Sequence, residues 1–338
     1  MTDGHGDDLY RYDEGMVRIN FSSNVYQHPQ LDGLKAHLNE YFGLVGHYPE
    51  PQPRSLERKI ALREGISPEA VLVTSGATEA IYLIAQMLRG SFSIIPQPTF
   101  GEYSDACRIN GHVISYESNE DIASMPRDRV YWICNPNNPS GNVLMKGFMT
   151  YVVRRSPRYT FVVDQSYEDY TRESLLSPRE MFDSQNLLLI HSLGKRYGVP
   201  GLRLGYVTGH PQTIQLLRSM QHPWSVSALS IEAGHYLLDT DKPAVPDLDA
   251  YLAETERFRT NLRQKANVRV FETKTNFMLC EIDNMTAADL KFRLVHEYGM
   301  LIRDCQNFSG LGSNFFRVAT QLPEENDLLV EAISGLNA

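Results

Sequence analysis

The stretch Leu187-Leu188-Leu189-Ile190-His191-Ser192-Leu193-Gly194-Lys195 decides how the chain is read, because it places a lysine just beyond a short apolar run. A bounded run of this kind reads as a strand buried on both faces, as strands of parallel sheets are. Eight residues past the lysine, Arg203 leads into another such run, Leu204-Gly205-Tyr206-Val207. Toward the N-terminus the pattern recurs at Thr160-Phe161-Val162-Val163, Val130-Tyr131-Trp132-Ile133-Cys134, Phe92-Ser93-Ile94-Ile95 and Ala70-Val71-Leu72-Val73-Thr74. Longer amphipathic stretches lie between them. One of these, Glu79 to Leu88, carries Ile81, Ile84, Ala85 and Leu88 at helical spacing. The alternation from about Ser55 to Gly209 predicts an α/β fold with a mostly parallel sheet flanked by helices.

Toward the C-terminus a long helical stretch runs from about Ser225 to Arg263, broken between Lys242-Pro243 and Pro246. Alternation then resumes, with strands expected at Asn276 to Cys280, Leu301 to Arg303 and Phe315 to Val318, and helices at Ala287 to Tyr298 and Glu324 to Leu336. The expected organisation is an N-terminal arm without clear pattern (residues 1–30), a large domain (31–225) and a smaller C-terminal α/β domain (226–338).

Composition narrows the function classes. The 338 residues are 42% hydrophobic and 22% charged, an ordinary globular balance that excludes a disordered or collagenous chain. Lys and Arg number 32 against 41 Asp and Glu, a net charge of −9 that disfavours nucleic acid or an anionic membrane as partner. Any anion site must therefore be local. Cys107, Cys134, Cys280 and Cys305 lie far apart with no CxxC pair, so neither a disulfide framework nor a metal site is expected. The start, Met1-Thr2-Asp3-Gly4-His5-Gly6-Asp7-Asp8, is polar and acidic where a signal peptide is basic and then apolar, and no apolar run approaches the roughly 18 residues of a membrane span. A soluble cytoplasmic protein is expected.

In open α/β sheets ligands collect beyond the carboxyl ends of the strands, so the chemistry is read from the residues just past each run. After the first comes Ser75-Gly76-Ala77-Thr78, a small-residue turn opening a helix, which suits a phosphate or is plain turn chemistry. After the third stands Asn135-Pro136-Asn137-Asn138-Pro139-Ser140-Gly141, a loop rigid enough to aim an amide, or a structural turn. After the fourth come Asp164 and Tyr167. A carboxylate beyond a buried run must face a cation or cap a helix. Lys195 and Arg203 complete the set. Together these match the needs of pyridoxal 5′-phosphate: an amine to engage its aldehyde, an anion for its ring nitrogen, donors for its phenolic oxygen, and cationic or N–H donors for its phosphate.

On these motifs the chain resembles the fold-type-I pyridoxal-phosphate enzymes of aminotransferase class I/II, from about Phe21 to Thr320. The resemblance implies that Lys195 bonds the cofactor, Asp164 partners its ring nitrogen, and Asn138 and Tyr167 donate to its phenolic oxygen. Gly76, Ala77, Thr78, Ser192 and Arg203 would hold the phosphate, and Phe100, in Pro98-Thr99-Phe100-Gly101, the ring face. Tyr48, in Gly46-His47-Tyr48-Pro49, matches a tyrosine that reaches the neighbouring subunit's phosphate, which implies a homodimer with shared sites. Arg317 would grip the substrate α-carboxylate. Arg303 is the candidate for a substrate phosphate, and Asn24 is a further substrate-binding candidate.

Two subgroups compete, the histidinol-phosphate aminotransferases, which use glutamate and 2-oxoglutarate, and the threonine-phosphate decarboxylases of cobalamin synthesis. Ile19 to Asn24, Gly198 to Tyr206 and Gly299 to Leu311 resemble the second more closely. The chain departs from the usual Asn-Pro-x-Gly turn after the N-terminal asparagine, carrying Val25-Tyr26-Gln27-His28-Pro29 there. Ser192-Leu193-Gly194-Lys195 also fits the Ser-x-x-Lys of penicillin-binding enzymes. Its companion Lys-Thr-Gly is missing, because Asn276 follows Lys274-Thr275.

Overall fold

The computed structural model describes residues 7–116 and 129–337. Seven strands form the main sheet: β1 (Val71–Thr74), β2 (Phe92–Ile94), β3 (Val113–Ser115), β4 (Val130–Cys134), β5 (Thr160–Asp164), β6 (Leu187–His191) and β7 (Gly205–Gly209). Their spatial order is β1-β7-β6-β5-β4-β2-β3. Neighbouring pairs are parallel except where β7 lies between β1 and β6, antiparallel to both. The start of β7 therefore sits at the edge where the other strands end. β3 carries no apolar run that would announce it. It is a three-residue edge strand with Val113 exposed.

Helices cover both faces, as the continuous apolar runs require. Successive residues alternate between the layers. Trp132 packs with Ile81, Ile84 and Ala106 on one side, and Tyr131 and Ile133 pack with Met149, Val152 and Val153 on the other. A third cluster joins Val71, Val73 and Tyr206 to Leu56, Ile60, Ile231 and Leu237.

A second, antiparallel sheet comprises β8 (Arg269–Val270), β9 (Phe277–Glu281), β10 (Arg303–Asp304) and β11 (Phe315–Ala319), in the order β10-β11-β9-β8. Helices Leu248–Lys265, Ala287–Tyr298 and Pro323–Asn337 pack on one of its faces, over Met278, Cys280, Phe316 and Val318. Period-two alternation puts Arg317 on the opposite face. The expected strand at 301–303 divides at Ile302, since Met300–Leu301 pairs with Ile19–Asn20 and Arg303 pairs with β11. The N-terminal segment belongs to this layer, with Phe21 buried in its core and accepting from the Ala319 amide. Helix Ala228–Thr240, by contrast, packs against the main sheet through Ile231 and Leu237. We propose that the chain divides after residue 240, ahead of Leu248–Lys265, and not near residue 226.

An edge strand exposes unpaired backbone groups, and those of β1 are occupied by side chains. The buried Glu57 carboxylate accepts from the Val73 amide, Arg218 Nη2 donates to the Val71 carbonyl at 2.7 Å, and Gln221 Nε2 to the Val73 carbonyl at 2.8 Å. Glu57 is itself held by Arg218 Nη1 and Arg54 Nη1. Removing Arg218 would leave the buried Glu57 with Arg54 as its one cationic partner among the described residues and the Val71 carbonyl without its donor. Arg218→Ala should therefore destabilise the protein by about 3 kcal/mol, seen as a lower urea midpoint at unchanged m-value, whereas a change inside experimental error would mean that water replaces the arginine.

Candidate active site

β1 ends at Thr74 and the helix Gly76–Met87 begins almost at once, with no side chain capping its first N–H groups. Such a helix start attracts an anion. Thr74 lies opposite Gly205 of β7. A Cβ on Gly205 would stand 2.8 Å from both the Ala77 amide nitrogen and the His191 carbonyl oxygen, so the two backbones meet only because this residue is glycine. That approach brings Arg203 over Gly76, where a Cβ would come within 2.6 Å of Nη2. Gly76 has φ 78° and Arg203 φ 50°. A guanidinium fork thus covers the open end of a helix.

β4 leads into the Asn-Pro loop. Asn137 serves the loop itself, donating from Nδ2 to the Pro98 carbonyl (3.0 Å) and Ser140 Oγ (2.8 Å) and accepting from Thr99 Oγ1 (2.9 Å). Asn138 instead faces the cavity, and its Oδ1 accepts from Arg317 Nη1.

β5 ends at Asp164, 3% exposed. Its Oδ1 accepts from the Ser166 amide in the turn that follows (2.9 Å), which is not the helix cap expected, and its Oδ2 from the Tyr103 hydroxyl (2.8 Å). A carboxylate has about four acceptor positions, so capacity remains for a further donor. β6 ends at His191, and Lys195 rides on the single helical turn Leu193–Arg196. Lys195 Nζ stands 4.8 Å from the centroid of the Tyr167 ring, which packs edge-on against Phe277. The Tyr170 hydroxyl holds the Lys195 carbonyl at 2.9 Å.

Across the cavity, β10 and β11 set Arg303 and Arg317 directly opposite one another, each 4% exposed. Arg317 donates to Asn138 and to the Ser22 carbonyl, and Arg303 donates to Asn307 Oδ1 at 2.8 Å. Neither is bonded to a carboxylate among the described residues. Burial draws the pKa of both below the ordinary arginine value, the direction expected of a desolvated cation.

Ala77, Thr78, Phe100, Ser192, Arg203 and Asn24 line the same cavity as Lys195, Asp164, Tyr167, Asn138, Arg303 and Arg317. Asn24 is 3% exposed, and neither atom of its side-chain amide has a partner among the described residues. Of the residues singled out in the sequence, two do not line the cavity. Gly76 lies beneath Arg203, and Tyr48 is 87% exposed and packs beside Trp224. The sequence reading missed Asp7, Ser22, Tyr103, Ser166, Asn307 and Phe308, all at the cavity wall. Tyr103 lies three residues after Phe100, at helical spacing, the one signal that could have placed it.

The donor set fits a phosphorylated pyridine aldehyde. An uncapped helix start and Arg203 suit its phosphate, Asp164 its ring nitrogen, and Lys195 its aldehyde, while the Asn24 amide and Arg317 Nε are buried polar groups still without partners. Fold and site together define a pyridoxal-phosphate-dependent enzyme.

The sequence profile of aminotransferase class I and II matches residues 17–333. The chain belongs to that family, whose members depend on pyridoxal phosphate, and it is a decarboxylase or an aminotransferase. The crystal structure of L-threonine-O-3-phosphate decarboxylase from Porphyromonas gingivalis is similar over 94% of this chain and 99% of that one, with 37% identity and a TM-score of 0.91. Threonine-phosphate decarboxylase of Salmonella typhimurium is 27% identical over 94% of this chain and 91% of its own. Histidinol-phosphate aminotransferase of Caldanaerobacter subterraneus is 27% identical over 86% and 84%.

Since the atoms facing Gly205 are backbone, they cannot yield as a side chain would. Gly205→Ala should force β7 away from Ala77 and, through Arg203, weaken the affinity of the apoprotein for pyridoxal phosphate by at least about tenfold, an effect of roughly 1.4 kcal/mol, within the range of overpacking strain. Fluorescence titration measures it, and unchanged affinity would separate Arg203 from this contact.

Proposed function

We propose that the protein is an L-threonine-O-3-phosphate decarboxylase of cobalamin biosynthesis, with pyridoxal 5′-phosphate as cofactor. The observation that carries this reading is the pair Arg303 and Arg317, two buried cations in cross-strand register without a carboxylate partner among the described residues. Buried charge is costly unless paired, so the pair calls for a ligand with two anionic groups. Threonine phosphate brings both, a carboxylate and a phosphate, in every turnover. Histidinol phosphate has a phosphate and no carboxylate, and would leave one arginine uncompensated. The threonine-phosphate decarboxylase relatives point the same way.

When bound, the cofactor supplies an electron sink for the bond broken at the substrate's Cα. The roles of this chain's residues follow from what each can hold. Lys195 would bond the aldehyde, and its amine is the group placed to hold and return a proton at the substrate's Cα. Asp164 keeps a proton on the ring nitrogen, Asn138 and Tyr167 donate to the phenolic oxygen, and Phe100 covers a ring face. Ala77, Thr78, Ser192 and Arg203 hold the cofactor phosphate, and Gly76, beneath Arg203, opens the helix that meets it. Arg317 orients the α-carboxylate by a two-pronged bond, Arg303 takes the substrate phosphate, and the partnerless Asn24 amide is free to meet the substrate.

The assembly we infer is a homodimer with shared sites. Tyr48 is exposed beside Trp224, and Tyr41, Phe42 and Val45, a few residues earlier in the chain, are exposed as well, apolar surface that a second copy would cover while Tyr48 reached its phosphate site. No helix among the described residues is long and apolar enough to cross a membrane, and the four cysteines are free and buried, in keeping with a cytoplasmic protein.

With L-threonine O-phosphate and no keto acid, the holoenzyme should turn over repeatedly, releasing carbon dioxide and aminopropanol phosphate. An aminotransferase would stop after one turnover until 2-oxoglutarate was added, and sustained activity with histidinol phosphate plus 2-oxoglutarate, with none on threonine phosphate, would reverse the assignment. Arg317→Lys should cost on the order of tenfold or more in kcat/KM, since a point charge cannot replace the fork. For the shared site, Tyr48→Phe and Lys195→Ala dimers should each be impaired, and mixing them should restore a fraction of the activity. Full activity in a protein that light scattering finds strictly monomeric would refute the dimer.

A further inference from the structure

Among the described residues, the Tyr103 hydroxyl is the one side-chain donor that the fold sends to Asp164 from a distant part of the chain. We propose that Tyr103 is a positioning residue: by holding Oδ2 of Asp164 it fixes the carboxylate's orientation toward the cofactor's ring nitrogen, and so sets how firmly a proton stays there. This rests on the reading that Asp164 partners that nitrogen.

The geometry favours a functional over a packing explanation. Tyr103 lies on the helix Glu102–Ile109 and is 1% exposed. Its ring stacks on Trp132 of β4 (centroids 5.9 Å, planes 26° apart) and meets Phe100 edge-on at 5.7 Å. Phenylalanine would fill that slot equally well, and a hydroxyl buried there is unfavourable unless bonded. Its bond is to Asp164. The aromatic clamp leaves the ring no room to swing away, so the hydroxyl stays on Oδ2 while the Ser166 amide holds Oδ1. Both oxygens are thus held before any cofactor arrives, and Phe100, at the cavity wall, ties the same ring to the place where the cofactor's face would lie.

The chemistry follows from these bonds. A hydrogen bond donated to a carboxylate favours its charged form and makes it a weaker base. A weaker base leaves the shared proton on the ring nitrogen, where the electron sink needs it. The phenol cannot lose its proton in competition, because burial and then the charge of Asp164 push its pKa well above the ordinary tyrosine value. The other titratable groups that sense Asp164 are Cys134 beside it on β4 and His191 at the end of β6, and Lys195 lines the same cavity. Cys134 remains a neutral thiol, pushed up to about 12 by burial and by Asp164. None of these three is hydrogen-bonded to the carboxylate.

The test compares Tyr103→Phe, Asp164→Asn and a protein carrying 3-fluorotyrosine at position 103, whose more acidic phenol is a stronger donor. Tyr103→Phe should lower kcat for threonine phosphate on the order of tenfold with KM within about twofold, and should weaken cofactor binding to the apoprotein severalfold. The pH at which the visible band of the lysine-bound cofactor titrates should rise in Tyr103→Phe and fall with fluorotyrosine. A purely structural tyrosine would lower the melting temperature of the apoprotein and leave that titration where it was. Unmoved titration in both position-103 variants, with Asp164→Asn damaging both cofactor affinity and kcat, would overturn the role of Tyr103 alone. An Asp164→Asn protein with normal affinity and kcat would overturn the reading of Asp164 beneath it. The fluorotyrosine protein keeps the hydroxyl and the ring, so its titration decides the matter even if Tyr103→Phe fails to fold.

Discussion

Strand polarity is the constraint on which this site depends. β1, β2, β4, β5 and β6 run in one direction, so Gly76, Asn138, Asp164 and Lys195 are all delivered to one edge of one sheet, although more than a hundred residues separate the first from the last. β7 runs against them, and that reversal returns the chain to the same edge so that Arg203 precedes a strand where the others come after one. Had β7 been parallel, Arg203 would stand at the far edge. The contact that admits the reversed strand is backbone on backbone, at Gly205 and Ala77, and it allows no substituent.

The second sheet supplies what the first lacks. Most of what the main sheet presents suits a cofactor with a phosphate and a cationic ring, whereas β10 and β11 present two cations with no protein anion bonded to them among the described residues. Desolvating a guanidinium is unfavourable, and the helices on the other face of β11 keep it so by excluding water from that side. A dianionic ligand would offset that cost. Arg317 also bonds Asn138, so the second sheet and the loop after β4 are linked across the cavity before any ligand is present.

The N-terminal segment joins the two layers. Phe21 packs into the second core, the Ser22 carbonyl takes a hydrogen bond from Arg317, and Asn24 brings its amide to the cavity without a partner among the described residues. A buried amide with no partner among the described residues is a cost that packing alone does not explain.

As a string of residues, the chain already determined the α/β class, the run of parallel strands and the residues just past their ends, because buried strands leave apolar runs and strand ends are where such sheets act. Lys195, Asp164, Asn138 and Arg203 were legible for that reason, Arg317 only through the family resemblance because it lies within a strand of the second sheet, and their meeting in one cavity is what the tertiary structure adds. Three features lay beyond the string. β3 is too short and too exposed to leave a pattern. The helix Ala228–Thr240 looks like the start of the second part, but Ile231 and Leu237 face the first core, and periodicity reports which face of a helix is buried without naming its neighbour. Tyr103 reads as one more core aromatic, since a phenol hydroxyl takes its role from the group opposite it, here a carboxylate sixty-one residues away that only folding brings to 2.8 Å.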